Sequence, residues 1–118
     1  MSLIGKNTVF RFIAKYPKQT TGTLYKRTGG DTFAAGVAYA HIYFPPNMNE
    51  TGITNNGTPS RSGDVLMFQA GESIAPEPDD KLTDADGNTW IVYTVKTSLN
   101  FQAGYAVHRV GLMQIQAA

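Results

Sequence analysis

The sequence contains no cysteine, which excludes a disulfide framework, a thiolate zinc site and a cysteine nucleophile. That composition fits a reducing compartment of synthesis. Histidine is almost as scarce: His41 and His108 are the only two, and each falls within a strand-like segment and not in a ligand-spaced cluster. Packed or surface histidines are therefore expected. No Gly-x-Ser-x-Gly motif offers a serine nucleophile on a strained turn. Gly29-Gly30-Asp31 lacks the lysine and hydroxyl residue of a phosphate-binding loop. The chain reads as a non-enzyme with no catalytic residue, cofactor or metal. Long apolar runs are also missing, since nothing approaches about 18 consecutive apolar residues, and residues 1–6 are too short and too weakly apolar for a signal peptide. A soluble protein made in the cytoplasm, with no membrane partner, is expected.

Charge is sparse and unevenly placed. Only 16% of the 118 residues are charged, and a surface rich in Thr, Asn, Gln and Gly suits burial against partners as well as it suits an ordinary β-rich domain. The first thirty residues carry Lys6, Arg11, Lys15, Lys18, Lys26 and Arg27 and no acid. Residues 31–90 hold all nine acids against Arg61 and Lys81 alone. Either the two segments lie side by side and neutralise each other, or they mark opposite surfaces for head-to-tail packing or a nucleic-acid path.

The length suits one domain, residues 1–118, with a real core. Residues 8–16 alternate, with Phe10, Phe12, Ala14 and Tyr16 on one side and Arg11 and Lys15 on the other, which predicts a strand ended by Pro17. Residues 18–22 read as turn-rich and 23–28 as a short second strand. A strand is expected over 37–44, with Tyr39, His41 and Tyr43 on one face and Ala38, Ala40, Ile42 and Phe44 on the other. Pro45-Pro46 stops it. Residues 47–62 form a long polar loop, either functional or disordered, in which Asn55-Asn56-Gly57 could turn a small hairpin. A strand over 64–70, apolar on both faces, takes a central position. Pro76 and Pro78 exclude regular structure over 71–80. A hairpin over 81–97 turns at Asp84-Ala85-Asp86-Gly87, with Trp90 expected in the core, and the last strand covers 105–115, where Gly111 is a bulge or close-packing point. With so few helix-period segments, the fold class is all-β: a small antiparallel β-barrel or sandwich of about six strands with long loops.

Two partial motifs fail on inspection. Asp84-Ala85-Asp86-Gly87 begins like a calcium loop, but the twelfth position is Val95 where a glutamate is required. Asp79, Asp80, Asp84 and Asp86 could hold at most a weak, adventitious cation. Asn49-Glu50-Thr51 and Asn56-Gly57-Thr58 match glycosylation sequons that are accidental without a secretory signal. Basic and aromatic residues interleave at Phe10-Arg11-Phe12 and Tyr25-Lys26-Arg27, a pattern used by single-strand nucleic-acid-binding barrels and equally produced by strand alternation.

Several of these pieces, taken in order, resemble the head-closure, or stopper, proteins of the head-to-tail connector in tailed bacteriophages. The likeness rests on Met1-Ser2-Leu3-Ile4-Gly5 leading into a strand with Arg11, on the strand ending at Pro45, and on Asp79-Asp80-Lys81-Leu82 followed by Gly87-Asn88-Thr89-Trp90-Ile91-Val92. It implies a β-barrel assembled as a homo-oligomeric ring of six or twelve copies in the virion neck, between a portal or adaptor and a tail terminator or tail tube, retaining packaged DNA. It also implies a channel or subunit-contact loop, for which Asn47, Asn49, Asn55, Asn56 and Arg61 are candidates alongside segment 17–36. The basic residues Lys6, Arg11, Lys15, Lys18, Lys26 and Arg27 become the candidates for facing DNA. Another virion ring protein (tail terminator, tail completion or decoration) and a single-strand nucleic-acid-binding β-barrel are the alternatives.

Overall fold

The period-two patterning becomes nine strands, with no helix among the described residues, in the computed structural model, which describes residues 19–46, 48–71, 74–102 and 105–118. The expected strand over 8–16, Lys6, Arg11, Lys15, Lys18 and Asn47 lie outside the described residues. In chain order the strands are β1 (Gln19–Tyr25), β2 (Arg27–Gly29), β3 (Thr32–Phe33), β4 (Val37–Tyr43), β5 (Asn49–Ile53), β6 (Pro59–Ala70), β7 (Lys81–Asp84), β8 (Thr89–Gln102) and β9 (Tyr105–Gln116).

Six of them form a closed antiparallel barrel in the order β4-β1-β7-β8-β9-β6. The circle closes where β6 meets β4 at Ile42↔Met67 and Tyr43↔Leu66. Strand β5 is an addition outside the ring, paired with the start of β6 from Asn49↔Ser62 to Ile53↔Pro59. Strands β2 and β3 form a separate two-stranded ribbon. Of the two expected architectures, the barrel is the one formed.

The interior is filled by Leu24, Tyr39, Ile42, Val65, Met67, Leu82, Trp90, Val92, Val110 and Leu112, contributed by all six barrel strands. Burying each such side chain stabilises the fold by about 1.5–3 kcal/mol. Trp90 is fully buried, as expected, with Phe44 against it at a ring-centroid distance of 5.3 Å. Around Phe68, a second cluster of Tyr43, Leu66 and Val107 packs on the other face of β6, so β6 has apolar contacts on both faces.

Several boundaries and faces differ from the sequence reading, each for a physical reason. Residues 19–22, expected in a turn, belong to β1, because pairing with β4 and β7 on both sides outweighs the weak strand preference of Gln, Thr and Gly. Segment 23–28 is split between β1 and β2. In β4, Thr20 pairs with Ile42 but Gly22 with Tyr39, so β4 carries one extra residue. This bulge puts Tyr39 and Ile42 both in the core, where strict alternation places them on opposite faces.

The long polar loop is largely a hairpin: β5 and the extended start of β6 occupy most of 47–62, leaving residues 54–58 as the turn. Hydropathy could not show this, because β5 is exposed at every position and has no buried face to mark. Strands β8 and β9 are the longest pair, and Tyr93 is the extra residue of a bulge opposite Gly111. A Cβ at Gly111 would lie 2.8 Å from the Tyr93 ring, so Gly111 is a close-packing point.

Candidate functional site

Lys26 and Arg27, two of the residues expected to face DNA, emerge where β1 gives way to β2. Opposite them runs Glu77-Pro78-Asp79-Asp80, a turn closed by the Asp80 N–H donating to Glu77 O at 3.1 Å. Pro78 sets the second position, and Asp79, at φ +74°, takes the left-handed third position of a type II turn. The Asp79 N–H donates to Val92 O and the Val92 N–H to Asp80 O, at 2.8 and 2.9 Å, which fastens the turn to β8.

This turn brings the acidic segment against the basic one. Lys26 pairs with Glu77, and Arg27 Nη1 lies 3.4 Å from Asp79 Oδ2. Between them Asp80 is buried, its two carboxylate oxygens accepting from the N–H groups of Arg27 (3.1 Å) and Glu77 (2.9 Å). Burial pushes the Asp80 carboxyl above its usual range, against the opposing pull of the Arg27 N–H and the Lys26 charge. An open cleft of about 480 Å³ lies here, lined by Lys26, Arg27, Gly29, Gly30, Glu77 and Asp79 among others. Both cations in it are already matched by acids. Of the two charge arrangements, side-by-side neutralisation is the one found at Lys26 and Arg27.

Near the cleft, the ammonium of Lys81 lies 4.7 Å from the ring centres of both Tyr25 and Phe33. It thereby holds the β2–β3 ribbon to the barrel through cation–π attraction.

The other candidates lie on the β5–β6 hairpin. Asn49 is exposed on β5, and Ile53 at its end is 76% exposed. Asn55 and Asn56 do not project freely. The Asn55 N–H donates to Ile115 O at 3.1 Å, and the Asn56 side chain grips Ala117 through both its amide atoms. Arg61 extends over Trp90, with its guanidinium carbon 5.2 Å from the ring centre. Its Nε donates to Gln114 Oε1 at 3.2 Å. A smaller opening of about 190 Å³ sits at this end of the barrel, lined by Phe44, Met48, Arg61, Asp86, Asn88 and Trp90 among others.

The aspartates are not gathered for a cation. Asp84 Oδ1 accepts from the N–H groups of Asp86 and Asn88, while Oδ2 accepts from Asn88 Nδ2 and Trp90 Nε1. Its carboxylate is thus occupied in organising the turn, in which the Gly87 N–H donates to Asp84 O. Among the described residues no group of three His, Asp or Glu side chains could hold a metal. The two histidines are separately engaged. His41 Nδ1 bonds Gln19 Oε1 at 2.7 Å, and His108, buried in β9, bonds Gln69 Oε1 through Nε2 at 2.8 Å. Burial lowers the His108 pKa below its ordinary value.

Sequence reasoning missed Glu77, Asp79 and Asp80 as partners of Lys26 and Arg27. The near cancellation of a +6 segment by a −7 segment was the signal that pointed to them. Comparison with protein-family models, curated proteins and solved structures finds no match to this chain.

Proposed function

We propose that this chain is a structural ring subunit of a tailed-phage neck, of the head-closure type, joining a portal or adaptor to the tail and helping to retain packaged DNA. The observation that carries the reading is β5. A closed barrel has no need of a seventh strand, yet this one is added outside it, hydrogen-bonded on one side and exposed at every position among the described residues. A bulge between Glu50 and Gly52 guards it against indiscriminate edge pairing. Such a strand has little to bury within its own subunit and suits contact with a neighbour. The order of sequence pieces that resembles the stopper proteins supports the same reading.

The neutralised state of Lys26 and Arg27 moves any DNA-facing role in this reading to the other basic residues of the first thirty. It also removes two of the cations on which a single-strand-binding barrel would draw.

Disrupting the gene in the genome that encodes it tests the proposal. The expected result is DNA-filled heads that leak and complete tails that stay unattached. Intact, tailed, DNA-retaining particles from the disrupted genome would overturn the reading. In vitro, the purified chain is expected to be monomeric at micromolar concentration and to form a ring only on the portal side as template. A stable isolated ring would refute that part alone.

A further inference from the structure

The turn between β5 and β6 is built around Asn56 and Gly57. Thr54, buried at its start, donates through its N–H to Thr58 O at 2.8 Å, and the Gly57 N–H donates to Thr54 O at 3.0 Å. The Asn56 side chain then fastens this turn to the far end of β9. Its Nδ2 donates to Ala117 O at 2.7 Å, and its Oδ1 accepts from the Ala117 N–H at 3.3 Å and from Thr54 Oγ1 at 2.7 Å. An amide carries a donor and an acceptor side by side, so it can both donate to and accept from the backbone of one residue in this way.

Asn followed by Gly is also the pairing most open to intramolecular attack, because Gly57 has no Cβ to obstruct its own nitrogen. The clamp prevents that attack: the Gly57 N–H is held by Thr54 O, and the Asn56 amide is pinned from three directions. Reaction requires the clamp to lift, and it joins exposed or half-exposed groups at the end of a strand, where local opening is least costly.

We propose that Asn56 is a site of spontaneous deamidation gated by its clamp on Ala117, and that its conversion permanently unfastens the 54–58 turn from β9. In the open form the Gly57 nitrogen gives its proton to solvent base and attacks Asn56 Cγ. The N–Cγ bond forms, the Cγ–Nδ2 bond breaks, and ammonia leaves after taking a proton from water. Water then opens the resulting succinimide at either carbonyl, giving aspartate or isoaspartate. Neither product restores the clamp. A carboxylate has no hydrogen to donate to Ala117 O, so two acceptors face each other, and isoaspartate adds a methylene to the backbone of a closed turn.

The test is a time course of the full chain in mildly alkaline buffer, native and in urea, read by peptide mass spectrometry. Conversion is expected at Asn56, much slower in the native chain than in urea. The variant Ala117→Pro, which removes one clamp donor, should speed native conversion about three- to tenfold, as expected for loss of one hydrogen bond. In converted protein the Asn55 N–H, which donates to Ile115 O, should exchange faster with solvent. Equal rates in buffer and urea, or an unchanged rate in Ala117→Pro, would overturn the gating. Unaltered Asn55 exchange after full conversion would overturn the unfastening.

Discussion

The indole nitrogen of Trp90, at the base of the barrel core, donates to Asp84 Oδ2 at 3.0 Å, so the carboxylate that shapes the β7–β8 turn also orients the largest core side chain. Turn and core are thereby linked. Trp90→Phe keeps most of the packing and leaves Asp84 short of one donor, at an expected cost of about 1–2 kcal/mol. Trp90→Ala empties the core and should cost about 3–5 kcal/mol. Urea unfolding of the two variants measures both, and a neutral Trp90→Ala would contradict the assigned core position.

Asp80 accepts two N–H groups and has no donor to offer, so Asp80→Asn turns an amide hydrogen toward a peptide N–H. A loss of about 1–3 kcal/mol is expected despite the removal of a buried charge. Equilibrium unfolding at neutral pH checks this, and a stabilised Asp80→Asn variant would show that the desolvation cost outweighs the two bonds.

The pH dependence separates the two buried ionisable groups. The His108 pKa is lowered in the folded protein, so the unfolded chain binds the proton first as pH falls through the ordinary value of 6.5. Stability from this group is therefore complete above that pH and declines below it until the folded pKa is passed. The Asp80 carboxyl is raised from 3.8, so the folded state binds its proton more tightly. Its charged form disfavours the fold, and this penalty is relieved as pH falls through the folded pKa. Unfolding midpoints across the mildly acidic range should decline in the wild type and flatten in His108→Gln.

Gly22 is packed between strands on both sides. A Cβ there would sit 2.7 Å from Ile42 Cδ1 and 2.9 Å from the backbone oxygen of Thr83. A side chain can yield, but a ladder carbonyl cannot do so cheaply. Gly22→Ala should cost about 1–3 kcal/mol through overpacking, detectable as a lowered thermal midpoint.

Lys26 and Arg27 form exposed ion pairs, and such pairs contribute about 0–1 kcal/mol. The double variant Lys26→Ala/Arg27→Ala should therefore fold with nearly unchanged stability. It should also retain any affinity for single-stranded DNA that the wild type has, measured by fluorescence anisotropy at low salt. A large loss of affinity would restore these residues as nucleic-acid contacts.

The sequence made the barrel legible where a buried strand face is also apolar: residues 37–43, 64–70, 81–84, 89–97 and 105–115 all read correctly as strands, whereas residues 19–22 of β1 did not. The β7–β8 turn was equally readable, because Asp84 and Gly87 have local roles. Strand β5 was not, since a strand exposed on both faces carries no periodic signal. The bulge between Tyr39 and Ile42 was hidden too, because an inserted residue shifts the phase without altering composition. At the candidate site, the matching of Lys26 and Arg27 with Glu77 and Asp79 depends on contacts about fifty residues apart. Charge totals suggested that compensation, and only the fold supplies the partners.

The closure between β4 and β6 rests on two residue pairs, whereas β6 and β9 share a ladder of nine. Few backbone bonds stitch this line, so its width is set by what packs across it: Ile42 and Met67 inside, Tyr43, Leu66 and Phe68 outside. The circumference of the barrel is therefore most readily adjusted at this line, the shortest of its ladders among the described residues. A bulkier or smaller side chain there would widen or tighten the cylinder while leaving its long ladders intact.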